Sequence, residues 1–171
     1  MVEVIHPTEY SDKDLPTVFL AGPITGAENW QEKAVEFLRA FGKDMLVAIP
    51  RRKVWPDPTF DYATQTDWET HYLNQAAARG VILFWLTRQT EPSPDDPRTG
   101  FPRIYSQTTR FELAEWKVRK EMNPKINMIV GIEPGFADGD YIERRFSTDC
   151  PDVPLVPSLR AACDTAVSLL D

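Results

Sequence analysis

Two short stretches of the sequence carry carboxylates at positions where they could act on a ligand together. Glu112 lies in SQTTRFELAEW, between two apolar residues and near the start of a predicted helix. Asp67 and Glu69 lie in TDWETHY, near the start of the preceding predicted helix. Cleavage of a glycosidic bond requires two carboxylates that converge on one pocket, commonly one as nucleophile and one as acid. Residue type and spacing therefore make these three side chains candidate catalytic groups.

Each candidate also has an ordinary structural interpretation. Thr109 and Glu112 fit the capping box T-x-x-E. In this motif Thr109 caps the helix, and the Glu112 side chain accepts a hydrogen bond from the backbone N–H of Thr109. The same place in a first helical turn favours an ionised carboxylate, which is a possible nucleophile. Glu69 and Asp67 are equally compatible with solvated carboxylates of a first turn. Spacing alone leaves both interpretations open.

Five apolar runs must position these residues. TVFLA, MLVAIP, GVILFWL, INMIVGI and VPLVP predict buried strands at 17–21, 45–50, 80–86, 126–132 and 153–156. Helical spacing predicts helices over NWQEKAVEFLRAFG, over 65–78, over 109–121 and after Ser158. Alternating strands and helices favour right-handed crossovers and a parallel sheet. We therefore expect an α/β fold, a flavodoxin-like three-layer αβα domain with a five-stranded parallel sheet in the order 2-1-3-4-5.

The segments between these elements are expected to be irregular. Residues 1–16 are predicted to form a loose leader of a single domain that spans 1–171. Residues 87–107 form a proline-containing loop of a length that usually has a function in a compact domain. Residues 133–152 are polar and are expected to lack regular structure.

Several of these loops are expected to meet at one edge of the sheet, because ligands of open α/β folds bind beyond the carboxyl ends of the strands. GPITG, which supplies Gly22, Pro23 and Ile24, follows the first predicted strand, and it could also be a plain turn. The loop after the second strand carries acidic and aromatic residues, among them Trp55, Asp61 and Tyr62. An aromatic pocket with a few carboxylates suits a planar, polar small molecule.

The composition narrows the possible partners. The net charge of −7 argues against a nucleic-acid polymer or an anionic membrane as partner. No apolar run reaches the ~18 residues that a membrane span needs, and no secretory signal is evident, so the cytoplasm is the expected location. Two cysteines, thirteen residues apart, and two histidines form no metal-binding pattern, and we expect neither a metal nor a cofactor.

Three motifs in order resemble one enzyme family. VFLAGP at 18–23, LNQAAARGVILFW at 73–85 and FELAEW at 111–116 are similar to motifs of the nucleoside 2-deoxyribosyltransferase superfamily, a resemblance that spans about residues 17–132. The resemblance implies a homo-oligomer that acts on a nucleoside or nucleotide together with a free nucleobase. It places Glu112 at the glutamate that attacks C1′ of the deoxyribose and forms a covalent intermediate. The acid that protonates the leaving base would be Glu69, with Asp67 and Asp61 as alternatives, and Trp55, Tyr72 and Trp85 could pack on the base.

The sequence departs from the family pattern at several positions. Thr108, Thr109 and Arg110 stand where many members carry glycines, and Tyr72 stands where many carry an aspartate. Ser106 replaces an aspartate that binds the sugar 5′-hydroxyl. Related hydrolases of nucleoside 5′-monophosphates use a serine near that point for phosphate, with which Arg110 could assist, but they prefer a serine at the place of Pro23. Transferase and monophosphate N-glycosidase therefore both stay open, and the alternatives are a non-catalytic nucleotide-binding module or an NAD-cleaving domain.

Overall fold

The computed structural model of the chain describes residues 1–96 and 99–170. Its strands are β1 Val2–Ile5, β2 Thr17–Ala21, β3 Met45–Ala48, β4 Gly80–Leu86, β5 Met128–Ile132 and β6 Leu155–Val156. Its helices are α1 Trp30–Arg39, α2 Tyr62–Arg79, α3 Gln107–Met122, α4 Gly139–Asp149 and α5 Leu159–Ser168. No helix in the described part of the chain is both long enough and apolar enough to cross a bilayer.

The strands form one parallel sheet in the order β1-β3-β2-β4-β5-β6. Alternate residues of β2 enter different cores, because successive side chains of a strand point to opposite faces. Val18 and Leu20 pack with α1 and α5, whereas Phe19 and Ala21 pack with α2, α3 and α4. The predicted flavodoxin-like three-layer α/β fold is confirmed, and so is the order of the five predicted strands.

The sixth strand corrects the prediction of a loose leader for residues 1–16. β1 pairs with β3 in parallel, from Val2 opposite Met45 to Ile5 opposite Ala48. The segment after β1 is tied to α2, since Trp68 donates from Nε1 to the Glu9 carbonyl at 2.8 Å. A four-residue edge strand that includes a glutamate has too few apolar residues to give a sequence signal.

A helix also replaces part of the irregular segment predicted at 133–152. α4 buries Ile142 and Phe146, which lie four residues apart and so share one helix face, against β4, β5 and α3. The rest of its sequence is polar and carries no side-chain cap. Two buried apolar residues in eleven were too weak a periodic signal to predict the helix.

The structure also moves the beginnings of the two helices that carry the candidate carboxylates. α2 begins at Tyr62 rather than Gln65, with Asp61 as its cap, and α3 begins at Gln107 rather than Thr109. These shifts place Glu69 and Glu112 in the second turn of their helices rather than at the first.

Candidate active site

The loops beyond the carboxyl ends of the central strands are packed together. Gly22 follows β2 with a φ of +156°, and a Cβ at this position would lie 2.4 Å from the Trp85 carbonyl oxygen, so only glycine fits. The Pro23 carbonyl accepts a hydrogen bond from Trp30 Nε1 at 2.9 Å, and the Ile24 carbonyl accepts one from Arg51 at 3.2 Å. These bonds use the backbone of GPITG to build the edge.

The long loop between β4 and α3 joins the same edge. The backbone N–H groups of Thr90 and Glu91 donate to the Gly26 carbonyl at 2.9 and 3.2 Å, which places this loop beside the GPITG turn. At the other end of the loop, the Tyr105 hydroxyl donates to the Thr87 carbonyl at 2.7 Å. Ser106 then opens α3 in a left-handed conformation with a φ of +61°.

The capping interpretation of Glu112 is wrong. Ser106, not Thr109, is the N-cap of α3, and its side chain makes no capping hydrogen bond. Thr109 is buried within the first turn, three residues before Glu112. The Glu112 carboxylate has no hydrogen bond or ion pair among the described residues, so no contact with its own backbone accounts for its position.

The environment of Glu112 opposes its ionisation. Burial, together with the smaller effects of the negative charges of Glu69 and Glu115, raises the pKa of this half-buried carboxyl to about 8. The expectation that the helix N-terminus would favour the ionised form is therefore wrong for this position. A helix dipole acts mainly within the first turn, and Glu112 lies beyond it.

Glu69 shares this environment but has a hydrogen-bond donor. Its Oε1 accepts from Gln65 Nε2 at 2.7 Å. Burial raises the pKa of the Glu69 carboxyl, while this hydrogen bond and the charge of Arg52 oppose the rise. The charge of Glu69 acts on Glu112 across the space between α2 and α3, so the two carboxyls form an electrostatically coupled pair.

Two residues that the sequence analysis did not propose hold Glu69. Arg52 Nε donates to Gln65 Oε1 at 3.1 Å, and Gln65 Nε2 donates to the Pro50 carbonyl at 3.1 Å. Arg52 also pairs with Asp57 and lies under the Phe60 ring, 5.0 Å from its centroid. The available signals were the spacing of four between Gln65 and Glu69 and the arginine that follows the second predicted strand.

The alternative acids are placed differently. Asp61 is exposed and caps α2, accepting from the Thr64 backbone N–H and hydroxyl at 2.7 Å each. These bonds lower the pKa of the Asp61 carboxyl, which is unfavourable for an acid that must donate a proton. Asp67 is exposed on α2 and is no cause of the raised pKa of Glu112. Only Glu69 among the three is electrostatically coupled to Glu112.

The aromatic candidates divide into core and surface residues. Tyr72 is fully buried, and its hydroxyl accepts from the Ser11 backbone N–H at 3.0 Å, so it supports the N-terminal segment. Trp85 is buried in the core beneath α1 and α5, on the opposite face of the sheet from α3. Trp55 is 69% exposed and contacts Phe60 edge-to-face in the loop before α2, so it is the freest of the three to move onto a ligand.

The residues proposed for phosphate binding are also separated. Ser106 is only 8% exposed, and its Oγ has no hydrogen-bond partner among the described residues. Arg110 is directed elsewhere, since it donates to the Ala137 carbonyl at 2.6 Å and packs over the Phe136 ring. A polar atom buried without a partner is costly, which makes Ser106 a position where a ligand atom would be stabilising.

Two open cavities of the surface lie away from the carboxyl pair. A groove of about 340 Å³ separates α3 from α4 and is lined by Leu113, Lys117, Tyr141 and Phe146. A second, of about 310 Å³, lies between α1 and α5 beside Trp30 and Glu133. Neither cavity is lined by Glu69 or Glu112. The carboxyl pair is a stronger indication of a functional site than either cavity, because two acids placed close together and partly buried cost stability.

Fold and side chains together define an α/β protein of the flavodoxin-like type with a coupled, half-buried carboxyl pair contributed by α2 and α3. The chain belongs to the family described as "Nucleoside 2-deoxyribosyltransferase like", which it matches over residues 15–122. The match includes both carboxyls and ends at the last residue of α3. No curated protein matched the chain. The family implies a glycosyl-transferring or hydrolysing enzyme with nucleoside or nucleobase substrates.

Proposed function

We propose that the protein is a nucleoside 2-deoxyribosyltransferase that forms a covalent deoxyribosyl ester on Glu112. The observation that supports this most is the placement of Glu112, which is half-buried, has no hydrogen bond with the residues that the structure describes, and is electrostatically coupled to Glu69. A structural carboxylate would be capped or paired, whereas a nucleophile needs a free oxygen. Environments that push the pKa values of paired carboxyls away from their ordinary range are typical of acid and base roles.

In the first step, a carboxylate oxygen of Glu112 attacks C1′ of the deoxyribose as the C1′–N bond breaks. The bonding electron pair goes to the base nitrogen, and the departing base takes a proton from Glu69. The products are the glycosyl ester on Glu112, a free base and a Glu69 carboxylate. The reactive pair therefore holds one proton, which must reside on Glu69 when the attack begins.

In the second step, a nitrogen of a new base attacks C1′ while Glu69 takes its proton. The ester C1′–O bond breaks, which restores the Glu112 carboxylate and the protonated Glu69. Two displacements at one carbon give overall retention of configuration. Water in place of the second base gives hydrolysis instead of transfer.

A 5′-monophosphate N-glycosidase is the second candidate. The Ser106 Oγ favours it, because this atom has no hydrogen-bond partner in the described part of the chain. This hydroxyl is buried at the N-terminus of the 16-residue α3, where backbone N–H groups favour an anion. A 5′-phosphate there would position the sugar over Glu112. On the GPITG loop, Pro23 has no hydroxyl that could bind a phosphate, and its carbonyl already accepts a hydrogen bond from Trp30.

An exchange assay separates these candidates. The protein is incubated with deoxyinosine and adenine, and the products are followed by chromatography. Deoxyadenosine indicates transfer, whereas free base and sugar from a monophosphate, without exchange, indicate hydrolysis. A chain that binds nucleoside but converts neither substrate is a non-catalytic binding module.

The role of Glu112 is tested with Glu112→Gln. We expect this variant to bind nucleoside and to lose turnover, because the amide cannot form the ester. Glu143→Gln, the same change at an exposed position of α4, is the matched control and should retain turnover. Full activity of Glu112→Gln would overturn the proposed mechanism.

A further inference from the structure

A chain of hydrogen bonds joins the loop after β3 to Glu69. Asp57 pairs with Arg52 Nη1 at 2.5 Å, and Arg52 Nε donates to Gln65 Oε1 at 3.1 Å. Gln65 Nε2 donates to Glu69 Oε1 at 2.7 Å and to the Pro50 carbonyl at 3.1 Å. Each of these hydrogen bonds joins a donor to an acceptor, and the series ends at Glu69, one of the two coupled carboxyls.

Arg52 determines which way the Gln65 amide faces. A guanidinium has only donors, so the side of the amide that it meets must be the oxygen. Both N–H groups of the amide are then directed at Glu69 and Pro50. The reversed amide would set its N–H groups against Arg52 and its oxygen against a carboxylate and a carbonyl, so the three hydrogen bonds that the Gln65 amide makes to Arg52, Glu69 and Pro50 would all be lost.

The oriented amide in turn distinguishes the two oxygens of Glu69. Oε1 accepts from Gln65, and a proton on that atom would oppose the incoming N–H. A protonated Glu69 therefore carries its proton on Oε2. The side chain of Arg52 is only 9% exposed, so little of it meets solvent.

We propose that Arg52 is a positioning residue of the proposed reaction: by orienting Gln65, it holds the Glu69 carboxyl with Oε2 as the oxygen that gives and takes the proton. This inference rests on the proposed role of Glu69 as the acid. The same two residues also stabilise the anionic form of Glu69, because Gln65 donates a hydrogen bond to the carboxylate and Arg52 is a nearby cation. The charged or polar groups that act on Glu69 are Gln65 of α2 and Arg52 of the preceding loop, and the charge of Glu69 in turn raises the pKa of Glu112 on α3.

The first test is a titration that does not depend on activity. Carboxyl carbons of labelled glutamate are followed by NMR against pH in the wild type, in Arg52→Met and in Gln65→Met. Both variants should titrate Glu69 at a pH about one unit higher, because each loses support for the carboxylate. Lys53→Met, which removes an exposed cation from the same loop, should leave the midpoint unchanged. An unchanged Glu69 midpoint in both variants would overturn the inference.

The double variant tests whether Arg52 acts through Gln65. If it does, Arg52→Met should shift the Glu69 midpoint clearly less when Gln65 is already methionine than in the wild type. Equal shifts in both backgrounds would mean that Arg52 acts by its charge alone, and would refute the proposal that it acts through Gln65. Arg52→Lys keeps the charge without the fixed fork, so it should restore only part of the effect.

The kinetic test uses the pH dependence of kcat/KM. Loss of the hydrogen bonds from Arg52 to Gln65 and from Gln65 to Glu69 should move both the acidic and the alkaline limb of the profile to higher pH. A purely structural defect should lower the maximum without moving either limb. The proposed role of Glu69 as the acid is tested separately. If that role is wrong, Glu69→Gln should retain turnover. Unmoved limbs in Arg52→Met, with Glu69→Gln inactive, would overturn only the role of Arg52.

Discussion

Replacement of Glu112 by glutamine should stabilise the folded protein while it abolishes turnover. The carboxyl of Glu112 is half-buried, has no hydrogen bond or ion pair within residues 1–96 and 99–170, and is repelled by Glu69. Its pKa is raised to about 8 from an ordinary 4.5. The folded state therefore binds this proton more tightly than the unfolded state does. The contribution is fully present below about pH 4.5 and is lost progressively as the pH rises through 8.

The size of the effect follows from the two pKa values. Each pH unit between them costs the wild type about 1.4 kcal/mol, which gives an upper limit of about 3 kcal/mol at pH 7. Water reaches part of the side chain, so we expect about 2 kcal/mol. For a domain of this size, that difference corresponds to a Tm about 4–8 °C higher for Glu112→Gln. Near pH 4.5 the two proteins should unfold at the same temperature.

Thermal unfolding is measured by circular dichroism between pH 4.5 and 8.5 for the wild type, Glu112→Gln and the exposed control Glu143→Gln. The difference between wild type and Glu112→Gln should grow with pH, whereas the control should follow the wild type throughout. A Glu112→Gln protein that is no more stable than the wild type at pH 8 would refute the account of a strained, unpaired carboxyl.

Three further outcomes are expected. The kcat/KM of the wild type should rise as the pH approaches about 8, because the Glu112 carboxyl must lose its proton before it can attack C1′, as a pH profile of initial rates would show. Asp61→Ala should lower the Tm, because α2 loses its cap, and should keep kcat/KM within about twofold of the wild type in the exchange assay. Tyr72→Phe should cost about 1 kcal/mol in urea unfolding, because the Ser11 N–H loses its acceptor, with turnover retained. Loss of turnover in either variant would show that the aspartate or the tyrosine takes part in the chemistry.

The fold was predictable because its central strands are strongly apolar. β4 buries every residue of GVILFWL, a pattern that only the middle of a parallel sheet explains. β1 and α4 gave no such signal, since each has few buried apolar residues and depends on tertiary contacts. Apolar patterning therefore predicted the central strands but left the edge strand β1 and the helix α4 unpredicted.

The carboxyl pair was predictable from residue types, but its supports were not. Glu69 and Glu112 were identified because both are carboxylates near the starts of helices that were expected to meet at one edge of the sheet, and because the family resemblance places the nucleophile at Glu112. Their coupling depends on how the fold places α2 beside α3, and the role of Gln65 depends on which atom of its amide meets Arg52. The capping prediction failed because T-x-x-E specifies a local contact, whereas the preceding loop set the start of α3 at Gln107.

The pairing of β1 with β3 also bears on how the protein should be handled in the laboratory. Removal of the first sixteen residues would expose the backbone donors and acceptors of β3 along Met45–Ala48. An uncovered strand of apolar residues is a template for pairing with other chains. A shortened protein should therefore self-associate during purification, so N-terminal truncation is a poor route to a smaller version of this domain.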